Sequence, residues 1–224
     1  MSTDSSELLS YWDSFYAGRA SAAVPDVPSD FARWVHRRVG REQTIVEFGF
    51  GTARDSVWFL RQGRTVIGYD FAQSAVDQAR SAAEAFGDVG RFSPLDLYDR
   101  EAVDRVTKDL RLDEPAIYGR FLIHSLAATG RHNLLDLAAT VLERGGELYL
   151  EFRTGQDRKS THLFGEDHFR VYLDPALIAA EIEERGGTVT HLEEGYGLAV
   201  YKTEDPHVAR LVASFSAGGH PSGP

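Results

Sequence analysis

Residues 45–54, with the sequence IVEFGFGTAR, decide the fold of this chain, because an apolar strand runs through a glycine-rich turn into a helix. Gly49 and Gly51 can adopt positive φ angles and bring the backbone close to a ligand, and the helix that follows presents free N–H groups. A dinucleotide-binding turn has a third glycine three residues after the second, where this chain has Arg54. The turn therefore predicts a small-molecule site, and one that does not suit NAD.

The composition of the 224 residues excludes several classes of function. A formal net charge of -10 argues against a broad nucleic-acid surface, which needs clustered Lys and Arg. No cysteine is present, so a disulfide, a thiolate nucleophile and a cysteine-based zinc site are excluded. No window is as long and apolar as a membrane span, and the first residues do not resemble a signal peptide. We expect a cytoplasmic protein with a small-molecule substrate and without a metal, nucleic-acid or membrane partner, and we keep a homodimer as an option.

Strands and helices alternate through the middle of the chain. The pattern predicts strands at 44–49, 65–70, 91–95, 115–121 and 146–152, with helices at 53–62, 74–86, 99–109 and 130–143 between them. Such alternation is typical of a parallel sheet with helices on both faces. Residues 188–192 and 198–202 then predict two antiparallel strands, because only the short turn at 195–197 separates the second strand from the first.

The two ends of the chain predict structure outside this sheet. Residues 1–43 predict an N-terminal helical cap, in which an aromatic helix at 7–18 precedes a helix with Ser29 as its N-cap. Residues 44–213 predict the main domain. The Gly-, Ser- and Pro-rich residues 214–224 predict a disordered tail.

Three carboxylates follow the first three predicted strands. Glu47, Asp70 and Asp96 stand at or just after the carboxyl ends of these strands, which line one crevice in an open parallel sheet. Asp70, 19 residues after Gly51, is placed to accept hydrogen bonds from both hydroxyls of a ribose, and Asp96 could accept one from an adenine amino group. The alternative is that Asp70 and Asp96 only cap the helices that follow them.

These motifs together resemble the class I S-adenosylmethionine-dependent methyltransferases. Residues 47–52 resemble the first motif of that family, Asp70 resembles its ribose-binding acid, and Asp96 with Leu97 resembles its adenine-contacting pair. The closing antiparallel strands are similar to its sixth and seventh strands. The resemblance implies an α/β fold, a Rossmann-like doubly wound sheet of seven strands in the order 3-2-1-4-5-7-6 with strand 7 antiparallel, and S-adenosylmethionine as the cofactor.

The resemblance also implies which residues bind the cofactor. We expect this set to comprise Glu47, Gly49, Gly51, Thr52, Asp70, Phe71, Asp96, Leu97 and Tyr16. Many relatives have a further glycine two residues after the second, where this chain has Ala53, a small change that should not prevent binding. A narrower resemblance is to a bacterial branch that methylates small molecules in natural-product or surface-polysaccharide pathways. It rests on the aromatic residues at 11–16, the entry at 28–31 and the stretches 118–124 and 151–153.

The candidates for catalysis lie after the fourth predicted strand, which faces the reactive end of the cofactor in this family. They are Tyr118, Arg120 and His124. His124 could act as a general base, or it could be a helix-start histidine bonded to backbone. Arg120 could bind an anionic acceptor or the cofactor carboxylate, or it could form an ordinary surface ion pair. No tetrad typical of base-amino methyltransferases is present.

The loop at 153–170 is the candidate for binding the methyl acceptor. It carries a net charge of +1 within an acidic chain, and its predicted substrate-binding residues are Arg153, His162, His168 and Arg170. A polar and perhaps anionic acceptor would suit it, for example a carboxylate, phosphate or sugar acid, whereas a solvated loop is the alternative. The aromatic helix at 7–18 has two interpretations as well, as a lid over the cofactor or as an anchor for the N-terminus.

Three functions fit these patterns. The first is methyl transfer to an oxygen or nitrogen of a small polar metabolite. The second is a regulatory module that binds S-adenosylmethionine or a nucleotide without chemistry. The third is an NAD-dependent oxidoreductase, which Arg54 and the closing strand pair disfavour.

Overall fold

A computed structural model of the chain describes residues 5–18, 27–159 and 170–215. One sheet of seven strands has the order β3-β2-β1-β4-β5-β7-β6. The strands are β1 Ile45–Phe48, β2 Val66–Asp70, β3 Gly90–Pro94, β4 Ala116–Arg120, β5 Glu147–Arg153, β6 Thr188–Gly195 and β7 Val208–Ser214. The first five are mutually parallel, and β7 is antiparallel to both of its neighbours, β5 and β6. The predicted sheet order and strand directions are confirmed.

Seven α-helices occur in the described parts of the chain. They are α1 Ser5–Ala17, α2 Asp30–His36, α3 Arg54–Arg61, α4 Gln73–Ala83, α5 Arg100–Asp109, α6 Ala128–Val141 and α7 Pro175–Glu183. Ser29 caps α2 as predicted, because its Oγ accepts a hydrogen bond of 3.0 Å from the Ala32 N–H. Asp174 caps α7 in the same way, with Pro175 in the first turn. None of the described helices has the length and apolar character that crossing a bilayer requires.

The helices cover both faces of the sheet. Successive residues of β1 show this directly, since Ile45 packs with the buried residues of α2, α3 and α4, whereas Val46 packs with those of α5, α6 and α7. All four residues of β1 are buried, as expected for a central parallel strand. The carboxyl ends of β1, β2 and β4 therefore meet at one edge of a rigid core, and polar side chains there are held in fixed positions.

The prediction of a strand at 198–202 is wrong, and the last strand is β7. Residues 198–202 lie in a turn region instead, with a single bridge between Tyr201 and Glu204. Val200 is 54% exposed, whereas β7 is buried over all but its last residue because it lies between β5 and β6. The sequence pattern does not predict β7 because Arg210 interrupts its apolar run, and a buried arginine is unusual in a central strand.

The core also extends beyond the predicted domain boundary at residue 213. Ser214 is the last residue of β7, and Phe215 is only 7% exposed and belongs to the core. These two residues were expected to begin the tail. The rest of the predicted tail, 216–224, and residues 1–4 and 19–26 of the predicted cap lie outside the described residues.

The position of β7 predicts the effect of truncation. A chain that ends at Phe215 should unfold cooperatively at the same temperature as the full chain, because it keeps all seven strands. A chain that ends at Pro206 should not fold, because β5 and β6 would each lose a hydrogen-bonded neighbour. Circular dichroism during heating measures both outcomes. A cooperative transition in the shorter chain would contradict the assignment of β7.

Candidate functional site

The turn between β1 and α3 has an unusual backbone. Gly49, Gly51 and Ala53 have φ angles of 67°, 56° and 56°. Two hydrogen bonds join the turn to the end of β2, from the Gly49 N–H to the Tyr69 carbonyl at 2.8 Å and from the Gly51 N–H to Asp70 Oδ2 at 2.8 Å. Ala53 takes the left-handed conformation that glycine favours, at a cost of about 1 kcal/mol for a residue with a Cβ. The absence of a third glycine therefore leaves the shape of the turn unchanged.

The glycines are required by the protein's own packing. A Cβ on Gly49 would lie 2.7 Å from Leu122 Cδ1, and a Cβ on Gly51 would lie 2.7 Å from the Tyr16 hydroxyl oxygen. We had expected these glycines to allow close approach of a ligand. In the structure they first of all allow α1 to pack over the turn through Tyr16, while Gly49 and Gly51 still line the crevice beside it.

Three carboxylates are buried around this turn. Glu47, Asp55 and Asp70 are 3%, 4% and 6% exposed. Burial and the neighbouring charge of Asp55 raise the pKa of Glu47 to about 8, although a hydrogen bond from the Ser56 hydroxyl acts in the opposite direction. Burial likewise raises the pKa of Asp70 to about 6, against the lowering effect of the backbone N–H groups that it accepts. A cation bound here would gain strong electrostatic stabilisation.

Asp55 belongs to this site although the sequence did not suggest it. Its carboxylate accepts hydrogen bonds from the Ser29 N–H at 2.7 Å, the Ser29 hydroxyl at 2.7 Å and the Tyr118 hydroxyl at 2.8 Å. The only sequence signal was its place in the first turn of α3, directly after the glycine turn. Asp55 thus ties α2, α3 and β4 together beneath the crevice.

Tyr118 does not have the position that a catalytic residue needs. It is fully buried between Phe31 and Phe59, with ring centroids at 5.1 and 5.5 Å, and lines neither of the two cavities described below. Strand alternation turns its side chain toward α2 and α3, so the hydroxyl donates to Asp55 and does not reach the open edge of the sheet. We therefore assign Tyr118 a role in positioning Asp55 and withdraw the expectation of catalysis.

Asp70 and Asp96 both make the hydrogen bonds of the capping alternative. Asp70 Oδ1 accepts from the Ala72 N–H at 3.0 Å, and Asp96 Oδ1 accepts from the Tyr98 N–H at 2.8 Å. An ionised carboxylate has about four acceptor positions, so capping leaves capacity for a ligand on both residues. Both side chains line the same cavity, and burial raises the pKa of Asp96 as well.

Two adjoining cavities open at the carboxyl ends of the strands. The first, called the Asp96 cavity, has an open volume of about 680 Å³ and a mainly apolar lining. It is lined by Trp12, Tyr16, Phe48, Gly49, Tyr69, Asp70, Phe71, Leu95, Asp96, Leu97, Tyr98, Phe121, Leu122, Ser125 and Leu126. The predicted residues Phe71, Leu97 and Tyr16 therefore lie together with Asp70 and Asp96.

The second cavity, called the Arg120 cavity, has an open volume of about 1110 Å³. Its lining includes the predicted cofactor residues Glu47, Gly49, Gly51 and Thr52, the predicted catalytic residues Arg120 and His124, and the predicted substrate residues Arg153 and Arg170. Five residues line both cavities, namely Trp12, Tyr16, Gly49, Phe121 and Ser125. The two cavities thus form one crevice, with an apolar end and a charged end.

The candidate base His124 is bonded to backbone. It is 3% exposed in a short 3₁₀ segment, and its Nδ1 accepts a hydrogen bond of 3.2 Å from the Arg153 N–H. The neutral ring must then carry its proton on Nε2, which can donate but cannot accept. This geometry favours the helix-start alternative over base catalysis. The two other histidines of the acceptor prediction, His162 and His168, lie outside the described residues.

The arginines of the Arg120 cavity differ in how they are paired. Arg153 donates to Asp157 and to Glu204, both at 2.6 Å. Arg120 donates through Nε to Glu151 at 2.8 Å, and its guanidinium lies 4.2 Å from the ring centroid of Phe121. Arg153 is therefore paired with two acids, and it also lines the cavity.

Helix α1 covers the crevice and is held by hydrogen bonds to α4. The Ser74 N–H donates to Asp13 Oδ1 at 2.8 Å, and the Gln78 side chain donates to the Tyr16 carbonyl at 2.8 Å. Asp13 thereby supplies the cap that Ala72, at the N-cap position of α4, cannot provide. Because Trp12 and Tyr16 also line both cavities, α1 combines the two interpretations of the aromatic helix, anchor and cover.

The raised pKa of Glu47 predicts how stability depends on pH. The folded-state pKa of about 8 lies above the ordinary value of 4.5, so the folded protein binds the Glu47 proton more tightly than the unfolded chain does. The stability that this protonated carboxyl contributes is fully present below pH 4.5 and is lost as the pH rises through about 8. Glu47→Gln can still accept from Ser56 and cannot ionise. We expect it to melt close to the wild type at about pH 5 and a few degrees higher at about pH 8.5.

Thermal unfolding of the ligand-free protein across this pH range measures the effect. Glu101→Gln is the matched control, because the side chain of Glu101 is 91% exposed. A difference between Glu47→Gln and the wild type that stays constant with pH would contradict a raised pKa.

No protein-family model matches the chain, and no curated protein sequence matches it. Solved structures do match. An S-adenosylmethionine-dependent methyltransferase from Anabaena variabilis has a TM-score of 0.70 at 17% identity, over 93% of this chain and 95% of the other. A Burkholderia thailandensis 1,6-didemethyltoxoflavin-N1-methyltransferase, solved with 1,6-didemethyltoxoflavin and S-adenosylhomocysteine, has a TM-score of 0.68 at 16% identity, over 95% and 88%. The [4+2]-cyclase SpnF has a TM-score of 0.64 at 14% identity, over 84% and 80%.

At these identities the comparisons show the fold. Because the cyclase shares this fold, the fold alone does not determine the reaction, and the residues of the site must do so. The chain has the seven-stranded Rossmann-like fold of the S-adenosylmethionine-dependent methyltransferases.

Proposed function

We propose that this protein is an S-adenosylmethionine-dependent methyltransferase that acts on an oxygen or nitrogen of a small polar molecule. The observation that carries the proposal is the group of three buried carboxylates, Glu47, Asp55 and Asp70, around the glycine turn. S-adenosylmethionine carries a sulfonium and an ammonium group. A dinucleotide would instead bring a negatively charged pyrophosphate to this turn, which the three acids disfavour.

The residues of the crevice suit the parts of this cofactor in turn. Asp70 has acceptor capacity left for the ribose hydroxyls, and Asp96 has capacity left for the adenine amino group. Phe71 and Leu97 provide apolar contact for the adenine. No side chain caps the start of α3, so its first N–H groups suit the carboxylate of the amino-acid part.

Glu47 and the glycine turn suit the rest of the amino-acid part. Glu47 offers an acidic partner for the ammonium group, and Gly49, Gly51 and Thr52 line the wall beside it. Binding of an ammonium group favours the ionised form of a neighbouring carboxyl. The fit therefore predicts that cofactor binding lowers the pKa of Glu47 and releases protons at neutral pH.

When bound, the cofactor supplies an electrophilic methyl group on a sulfonium, and the protein has to align an acceptor with it and keep water away. Trp12, Tyr16 and Phe121 line the junction of the two cavities and give it apolar walls. His124 Nδ1 is occupied by the Arg153 N–H, so this nitrogen is not available as a base for the methyl acceptor. An acceptor atom that is already nucleophilic near neutral pH, such as a carboxylate oxygen, suits this site best, because it needs no base.

A second candidate is a protein that binds S-adenosylmethionine without transferring its methyl group. The bonded state of His124 and the buried position of Tyr118 favour it, since neither side chain offers a base to an acceptor. Formation of S-adenosylhomocysteine with a broad panel of small alcohols, amines and carboxylic acids separates the two candidates. Turnover with any class supports the transferase, and cofactor binding without turnover across the panel supports the binding protein.

The role of Asp70 predicts a loss of cofactor affinity. Asp70→Asn replaces one carboxylate oxygen by an N–H donor and should raise the Kd of S-adenosylhomocysteine by about 10- to 100-fold. Titration calorimetry measures the change, with circular dichroism to confirm folding. Asp88→Asn is the matched control, because Asp88 is exposed on the segment after α4. Absence of S-adenosylhomocysteine binding by the wild type, or an unchanged Kd in Asp70→Asn, would contradict the assignment of Asp70 to the cofactor site.

If α1 covers the bound cofactor, loosening this helix should weaken cofactor binding more than it lowers the melting temperature. Asp13→Ala removes the acceptor for the Ser74 N–H and should loosen α1, at a cost of about 1 kcal/mol for a lost cap. We expect a several-fold weaker binding of S-adenosylhomocysteine with a small change in melting temperature. Ser14→Ala, on the exposed face of the same helix, is the control. A large fall in melting temperature with normal affinity would instead show that α1 is only an anchor.

A further inference from the structure

Two arginines at the charged end of the crevice carry hydrogen-bond donors for which the described part of the chain provides no acceptor. Arg54 and Arg120 both line the Arg120 cavity, and their side chains are only 15% and 17% exposed. A guanidinium has five N–H donors, and donors for which the described residues offer no acceptor are available to a ligand in the cavity. The pair therefore makes this end of the crevice suitable for an anion.

Arg54 makes no side-chain hydrogen bond within the described residues. Its closest acid is Asp55, whose Oδ1 lies 3.8 Å from Arg54 Nε, too far for a hydrogen bond. Asp55 already accepts three hydrogen bonds from Ser29 and Tyr118. Burial and the neighbouring charge of Arg120 both lower the pKa of Arg54, so its positive charge is held at an unfavourable place.

Arg120 is paired on one side only. Its Nε donates to Glu151, and both Nη groups lack an acceptor in the part of the chain that the structure describes. Glu151 is also shared, since it accepts from Arg210 at 2.9 Å. Phe121 fixes the guanidinium from the other side at 4.2 Å, although it needs a φ of 56° to do so, which is uncommon for a bulky residue.

Strained backbone and perturbed pKa values, as at Phe121 and Arg54, cluster at functional sites. An anion between the two guanidinium groups would accept from their free N–H groups and balance their charge, as in the bidentate pairs that arginine forms with carboxylates. Arg153, in contrast, is already paired with two acids. Among the described residues, the Arg54–Arg120 pair therefore suits an anion better than Arg153 does.

We propose that Arg54 and Arg120 bind a carboxylate of the methyl acceptor, an inference that rests on the proposed methyltransferase function. The other residues that line the cavity indicate what kind of molecule carries this carboxylate. Trp12, Phe15 and Tyr201 are aromatic residues of its lining. Flat aromatic walls suit a small ring-bearing acid.

A matched pair of probes tests the proposal. Titration calorimetry compares 4-hydroxybenzoate with 4-hydroxybenzamide, which have nearly the same shape and differ in the charge of one group. Both are titrated into the protein saturated with S-adenosylhomocysteine and into the free protein. We expect the acid to bind the saturated wild type at least about tenfold more tightly than the amide. Equal binding of the two probes overturns the proposal.

Variants identify the residues responsible. Arg54→Gln should abolish the preference for the acid and melt at the wild-type temperature or above it, because the arginine makes no hydrogen bond that folding would lose. Arg120→Lys keeps a positive charge beside Glu151 and loses the planar fork, so it should reduce the preference. Arg105→Gln is the control, because that side chain is 65% exposed. An unchanged preference in Arg54→Gln and Arg120→Lys overturns the proposal.

The cofactor also has a carboxylate, which the two arginines could bind instead of the acceptor. A second titration distinguishes these two possibilities. 5′-Methylthioadenosine lacks the amino-acid part of S-adenosylhomocysteine. Under the proposal, both arginine variants bind the two nucleosides as the wild type does. Loss of affinity for S-adenosylhomocysteine alone would assign the arginines to the cofactor and overturn the proposal. A wild type that prefers the acid but does not bind S-adenosylhomocysteine would instead contradict the methyltransferase function and leave the anion site standing.

Discussion

The hydrogen bond from the Gly51 N–H to Asp70 Oδ2 is the interaction on which the crevice depends. It joins the turn after β1 to the end of β2, while the other oxygen of Asp70 holds the start of α4. A single buried carboxylate thereby sets the spacing between the glycine turn and the apolar cavity beside it. The cost is a carboxylate with a raised pKa, held in place by the rigid parallel sheet around it. A ligand that brings positive charge and hydroxyl groups would relieve that cost.

Charge is distributed unevenly along the crevice. Buried acids surround the glycine turn, and two arginines with unused donors lie at the end toward β4. Burial raises the pKa values of Glu47 and Asp70 and lowers that of Arg54, so a ligand group of opposite charge would stabilise these side chains. A cationic cofactor next to an anionic acceptor would satisfy both groups at once. The same arrangement would place the two reactants side by side, which is the main requirement of a displacement reaction.

The fold could be predicted from the sequence because the strands β1, β2, β4 and β5 are short, mostly buried and alternate regularly with helices. The last strand could not, because Arg210 interrupts an apolar run and its ion pair with Glu151 forms only in the folded sheet. Asp70 and Asp96 were identifiable from their strand-end positions. Asp55 and Arg54 were not, because their roles depend on how α3 is rotated against β4. The same limit applies to Tyr118, whose side chain follows the alternation of the strand into the core.

The central claim is that the carboxyl edge of the sheet binds S-adenosylmethionine with its charged part at the glycine turn. A crystal structure of the protein grown with S-adenosylhomocysteine tests it most directly. The account predicts the ribose hydroxyls on Asp70, the adenine against Leu97 and Asp96, and the amino-acid part beside Gly49, Gly51 and Glu47. Density for the nucleoside in another place, or the reverse orientation with the adenine at the Arg54–Arg120 pair, would contradict it.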